Sequence, residues 1–121
     1  MLADSNLVIY AASQKHPKLM DWFAKNKPAV SAISLVEVIG YHKLQEKDKY
    51  FLEAFFAELI VHYPNPEIFQ TAVELRQQRA LSLGDALIAA TAIYHGLTLA
   101  THNIKDFEWI QSLEVDDPLE A

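Results

Sequence analysis

Residues 82–106 read SLGDALIAATAIYHGLTLATHNIKD, and this stretch decides the fold. Ser82-Leu-Gly-Asp85 is a capping-box pattern with Asp in place of the usual Glu, so a helix starts here. The residues from Ala86 to His95 are apolar on nearly every face, which predicts a buried helix. Gly96 is a good stop, because the residue after a helix often adopts a left-handed backbone. Leu97 to Thr101 then reads as a strand, and His102-Asn103-Ile104-Lys105-Asp106 as a polar turn. A buried helix feeding a short apolar strand belongs to a parallel sheet with helices on its faces.

The same alternation runs outward in both directions. Leu2 to Asp4 reads as a short buried strand and Asn6 to Ala12 as an apolar helix. His16 to Lys27 is helical, with Leu19, Trp22 and Phe23 at core spacing. Pro28 ends it, and Ala29 to Ala32 is a second strand. Ser34-Leu-Val-Glu37 is another capping box, opening a helix that runs to about Gln45. A further helix spans about Asp48 to Leu59, and Ile60 to Tyr63 is a strand stopped by Pro64. Pro66 suits the first position of a helix running to about Arg79. A last short strand lies near Leu113 to Val115. No linker or repeat interrupts the pattern. The expectation is an α/β fold in one domain over residues 1–121, with a short parallel sheet of four to five strands flanked by helices.

Composition agrees. The 121 residues are 51% hydrophobic, with only 3 Gly and 5 Pro, which suits one packed core and not a low-complexity chain. No apolar run reaches the length of a membrane span, and the N-terminus lacks the positive leader of a secretory signal. The absence of Cys excludes disulfides and thiolate metal sites and fits a reducing, cytoplasmic setting. The net charge of −6 opposes broad electrostatic binding of RNA. It is concentrated, however: residues 102–121 hold six acids against Lys105 alone. Bound divalent cations would invert the local field at an acidic site.

Four acids fall at related places in this layout. Asp4 ends the first strand. Glu37 and Asp85 lie in first turns of helices, and Asp106 follows the strand ending at Thr101. Crossover helices run antiparallel to their strands, so these positions share the carboxyl edge of the sheet, where open α/β folds bind ligands. Two like charges about 4 Å apart repel by roughly 4 kcal/mol at an effective dielectric near 20. Helix N-termini at Glu37 and Asp85 offset about 1 kcal/mol each. Protons or metal ions must supply the rest, and all-oxygen ligation favours Mg²⁺ or Mn²⁺. Such ions can activate water and stabilise the leaving oxygen in phosphodiester hydrolysis. Each acid also has a plain structural reading: Asp4 as a helix cap, Glu37 and Asp85 as capping-box partners, Asp106 as a solvated turn residue. Only convergence separates the two.

These residues resemble the PIN domain, and within it the small VapC-like ribonuclease toxins of toxin–antitoxin pairs. The matching pieces are Leu2-Ala-Asp4-Ser-Asn6-Leu-Val-Ile-Tyr10-Ala, Ser31-Ala-Ile-Ser34-Leu-Val-Glu37, Gly84-Asp85-Ala-Leu-Ile-Ala-Ala90 and Leu99-Ala-Thr101-His-Asn103-Ile-Lys-Asp106-Phe107. The resemblance spans almost the whole chain. It implies a Mg²⁺- or Mn²⁺-dependent endoribonuclease whose metal-binding and catalytic acids are Asp4, Glu37, Asp85 and Asp106. Ser5, Asn6, Thr101 and Asn103 match the polar residues that support such a site. Asn103 stands where many members place their fourth acid, and His102 where an Arg is common. The resemblance also implies a cognate antitoxin and a homodimer. Tyr50, Phe51, Phe55, Phe56 and Leu59 put several aromatics on one helix. Core packing claims at least two of the three Phe residues, and the surplus is available to a partner groove or a dimer seam.

Other chemistries fit poorly. The five His residues show no i, i+4 pair, and there is no Cys to complete a zinc site. Ser5, Ser34 and Ser82 lack a nucleophile-elbow setting, and no Gly-rich phosphate loop exists. Lys43, Lys47, Lys49, Arg76 and Arg79 are candidates for phosphate contact, though solvated helix faces are the usual fate of such residues. A catalytically weak RNA- or protein-binding module on the same fold is the alternative function. A phosphoacceptor receiver domain would need an acid pair after the first strand, but Ser5 and Asn6 follow Asp4.

Overall fold

The computed structural model describes residues 1–13 and 15–120. Along the chain come β1 (Leu2–Ala3), α1 (Ser5–Ala12), α2 (Pro17–Asn26), β2 (Ala29–Ser31), α3 (Ala32–Ile39) and α4 (Glu46–Ala57). They are followed by β3 (Val61–His62), α5 (Pro66–Gln78), α6 (Leu83–His95), β4 (Leu99–Ala100), α7 (Ile104–Phe107) and β5 (Val115–Asp116). The five strands form one sheet in the order β3-β2-β1-β4-β5, and every pairing is parallel. This is the expected α/β architecture, at the upper end of the expected strand count.

Side-chain alternation sorts the core into two layers. Leu2 sits level with Ala29 on one neighbour and Leu99 on the other, and all three pack with Ile88, Ala89, Ala92 and Phe107. One residue on, Ala3, Val30 and Ala100 are also level, and they pack with Leu7, Val8, Leu19 and Phe23 on the opposite face. Both faces are therefore covered, as a parallel sheet requires. Every residue of α6 from Ala86 to Ala92 is buried, so the helix expected to lack a solvated side has none over that span. Thr91 is tolerated there because its Oγ1 donates to Leu87 O at 2.7 Å. Gly96 closes α6 at φ 64°, as read from the sequence.

Several boundaries differ from expectation, with identifiable causes. The helix read as opening at Ser34 begins at Ala32, and its cap is Ser31, whose Oγ accepts from Ile33 N. Glu37 is consequently in the second turn, outside any capping box, and beyond the reach of the helix-end charge. That helix stops at Gly40 and not near Gln45. Asp106 lies in a short helix and not a bare turn, because buried Phe107 anchors α7 against the core layer that holds Leu2 and Leu99. The last strand is Val115–Asp116, since Leu113 turns inward to join the core instead of pairing.

The aromatics of α4 divide as their spacing suggests. Phe56 is buried, Phe55 meets the Phe23 ring edge-on with centroids 5.1 Å apart, and Tyr50 and Phe51 remain exposed.

Candidate metal centre at the carboxyl edge of the sheet

From β1 the chain first builds β2 and β3 on one side, then crosses to build β4 and β5 on the other. The crossovers diverge at the carboxyl end of β1, which opens a crevice there. Asp4 is the first residue in it. Asp4 is 4% exposed and both of its carboxylate oxygens are engaged. Oδ1 accepts from Leu7 N at 2.9 Å, capping α1. Oδ2 accepts from Thr101 Oγ1 at 2.5 Å, a bond spanning the crevice from β1 to the end of β4. Thr101 is itself buried and oriented by Asn103 N–H, which donates to its Oγ1 at 3.0 Å.

Glu37 reaches the crevice from α3. Ser5 Oγ donates to its Oε1 at 2.7 Å and sits 2.8 Å from Ser34 Oγ. Ser34 is fully buried, so the serine pair is a fixed bracket under an otherwise exposed carboxylate. Glu37 lies against the first turn of α6. A Cβ at Gly84 would collide with its Oε2 and come 3.0 Å from its Cδ, so glycine there leaves room for the acid. Asp85 follows at once. Its backbone N–H donates to Ser82 Oγ at 3.1 Å, the cap read from the sequence.

The electrostatics show the acids acting on one another. Burial pushes the Asp4 carboxyl above its ordinary range, and the charges of Asp85 and Glu37 add to that, against the Thr101 and Leu7 hydrogen bonds. Burial also raises Asp85, and there the neighbouring charges are Asp106 and Glu37. Asp4 and Asp85 thus both feel the Glu37 charge, and Asp106 acts on Asp85 from the outer side, although no three of the four offer ligand atoms within 4.8 Å of one another among the described residues. Among the described residues the one Lys or Arg ion pair is Lys49–Glu53, and His102 is bonded to Asp117, so none of the four carboxylates has a cationic partner within 4.0 Å. Mutually repelling, all-oxygen and without a cationic partner, with Asp4 buried, Asp85 half-buried and Glu37 and Asp106 exposed, this donor set suits a hard divalent cation. Mg²⁺ keeps several waters and needs few protein oxygens, so the set need not close tightly.

Of the expected supporting residues, Ser5 and Thr101 hydrogen-bond the acids directly. Asn103 contributes its backbone N–H, and Asn6 is exposed, with no side-chain bond to the site among the described residues. Ser34 and Gly84 were missed as site residues. Ser34 was hidden by its apparent role as a cap, and only the packing of α3 on α6 gives Gly84 a purpose. Nothing in the sequence groups His102 with Asp117 and Glu120, yet their ligand atoms lie within 4.8 Å of one another. There Asp117 Oδ2 bonds His102 Nδ1 at 2.9 Å and Oδ1 accepts from Leu119 N at 2.9 Å, so Asp117 is already satisfied. That trio fixes the C-terminal tail beside β4 and is separate from the four acids.

The parallel sheet, the crevice and the unpaired acids together define an open α/β fold with an acidic ligand-binding edge. The family model of the PIN domain matches residues 1–110, and the chain belongs to that family. It is 33% identical over 130 residues to Ribonuclease VapC2 of Rickettsia felis, covering 96% of each chain. It is 29% identical to the tRNA(fMet)-specific endonuclease VapC of Shigella flexneri, again over 96% of each. Among solved structures, a toxin–antitoxin complex from Klebsiella pneumoniae contains a chain that superposes with a TM-score of 0.83 at 30% identity, covering 99% of this chain and 98% of that one.

Proposed function

We propose that this protein is a divalent-metal-dependent endoribonuclease, the toxin of a toxin–antitoxin pair. The observation that carries the reading is the group of four carboxylates at the switch point of the sheet, one of them buried, with no Lys or Arg nitrogen within 4.0 Å of any among the described residues. Asp4 and Asp85 would hold Mg²⁺ or Mn²⁺, with Glu37 and Asp106 completing the acidic set. The bound ion supplies charge neutralisation at the phosphate and lowers the pKa of an attacking water. The chain's own groups do the positioning. Leu7 N–H and Thr101 Oγ1 fix the Asp4 carboxylate in one orientation at the crevice. The Ser5–Ser34 bracket holds Glu37, which is placed to orient or deprotonate a water. Hydrolysis adds water across one P–O bond, leaving a phosphate on one fragment and a hydroxyl on the other.

A partner is supported by a groove of about 780 Å³ that begins at Glu37 and continues over Ile9, Val38, Tyr41, Leu44 and Phe51. Ile9, Tyr41 and Phe51 are exposed there, and an antitoxin segment laid in this groove would end beside the acidic centre. Exposed Phe69, Val73 and Leu83 on α5 and α6 are the surface proposed for a homodimer.

The test is cleavage of an RNA panel, with initiator tRNA first because the Shigella relative is named for it. Cutting is expected with Mg²⁺ or Mn²⁺, to vanish in EDTA, and to fall at least a hundredfold in the Asp4→Asn/Asp85→Asn double variant. Undiminished cutting by that variant would refute the assignment.

A further inference from the structure

Beside Asp85 the surface falls into a cleft of about 430 Å³ lined by Arg79, Ser82, Asp85, Lys105, Asp106 and Trp109. Its chemistry differs from that of the acidic centre it adjoins. Trp109 is half-buried against the core layer under α6 and α7, and its Nε1 donates to Asp106 O at 2.9 Å, so the ring is held from two sides. Arg79 stands with its Cζ 5.6 Å from the centre of that ring. This is within cation–π range but too far for close stacking, so the guanidinium attends the ring without sealing it. Arg79 and Lys105 are both exposed, and neither has a carboxylate within 4.0 Å among the described residues. The backbone that carries Arg79 is steadied by Arg76, whose Nε donates to Leu81 O at 3.0 Å. The chain carries 10 Lys and Arg against 16 acids, so two unpaired cations and an indole beside the acidic centre are a local departure from its overall charge.

We propose that Trp109, Arg79 and Lys105 form a nucleotide subsite flanking the acidic centre: the indole and guanidinium stack on a base of the RNA, and the two cations take a phosphate adjoining the scissile one. The proposal rests on the endoribonuclease reading for the identity of its ligand. Its geometry is independent of which acids hold metal. A strand whose phosphate lies at Asp85 must leave the centre along one of its walls, and this wall offers a π-face and positive charge together, the combination that binds single-stranded nucleic acid. Arg guanidinium planes and aromatic rings both serve as platforms for unstacked bases. An acidic peptide could satisfy the cations but would have no use for the indole.

The chain has two Trp residues, so Trp22→Phe leaves Trp109 as the sole indole reporter. Trp22 packs on the opposite core layer, away from the cleft. A short single-stranded RNA, dye-labelled for anisotropy, is titrated into this variant in EDTA, where it is not cut. Saturable change in Trp109 emission is expected at the same RNA concentrations that raise the anisotropy. Arg79→Ala should weaken binding about tenfold and Trp109→Leu by at least as much, while Trp109→Phe, which keeps a stacking ring and the packing, stays within a few-fold of the parent. With metal present, Arg79→Ala should raise KM more than it lowers kcat. RNA that binds and is cut while Trp109 emission and the Arg79→Ala KM stay unchanged would overturn the subsite and leave the nuclease reading standing. An emission response to poly-glutamate but not to RNA would overturn it in favour of a peptide site. If the double Asp variant still cuts RNA but Trp109 responds to RNA as expected, the metal assignment fails and the subsite survives.

Discussion

At the residue scale, Asp4 shows why a structural and a functional reading of one acid need not compete. Its two oxygens divide the work: one caps α1, the other joins Thr101 across the crevice. Ionisation there is costly, and the pH dependence follows. Burial and the neighbouring carboxylates raise the folded-state pKa of both Asp4 and Asp85 above the ordinary 3.8. In metal-free protein the native state therefore holds protons that the unfolded chain has released, and these groups make stability fall as pH rises from 3.8 through the raised values. Thermal melts in EDTA should show a flatter pH profile across that window for Asp85→Asn than for the parent, and a higher Tm for the variant at neutral pH. A steeper profile would mean the carboxylate is stabilised by something other than a cation. Gly84 gives a second test. Alanine is the better helix former by about 1 kcal/mol, but its methyl would occupy the place of the Glu37 carboxylate, a flexible group that can swing away. Gly84→Ala should keep or raise Tm while cutting RNA at least tenfold more slowly. Full activity in that variant would remove Glu37 from the site. The positions of Asp4 and Asp85 were legible in the sequence because each closes a local pattern. The Ser5–Ser34 bracket was not, because it joins residues 29 apart through a packing contact that no local pattern signals.

At the element scale, the α6 entry carries most of the site. Ser82 caps it, Gly84 admits Glu37, Asp85 faces the crevice, and the seven residues after Asp85 are buried in the core. Ser82→Ala removes the acceptor for Asp85 N–H and should cost about 1 kcal/mol, read as a lower urea midpoint with unchanged m-value. A loss well under 0.5 kcal/mol would mean that water replaces the cap without penalty. The type and order of the main elements were readable because apolar periodicity and the Pro and Gly stops agree along the chain. Boundaries were less so. The strands run only two or three residues, and α3 starts immediately after β2, so no loop separates the two signals. That is how Ser34 passed for a cap when Ser31 holds the position. The short helix α7 was read as a turn because its single anchor, Phe107, binds a core layer assembled from distant segments.

At the scale of the whole molecule, the topology does what no single motif could. Placing β1 in the centre, with β2 and β4 on either side, brings residues 4, 37, 85 and 106 to one edge though they span most of the chain. The price is a concentration of negative charge that the fold leaves uncompensated, and the overall −6 charge makes it no easier to bear. Among the described residues no helix is long and apolar enough to cross a membrane. Recruitment of a hard cation is the remedy this arrangement calls for, and calorimetric titration with Mn²⁺ tests it most directly. The parent protein should bind Mn²⁺ at or below millimolar concentration, and the Asp4→Asn/Asp85→Asn variant, folded by its melting transition, should show no binding heat. Equal binding by the two proteins, or none by the parent, would contradict the account.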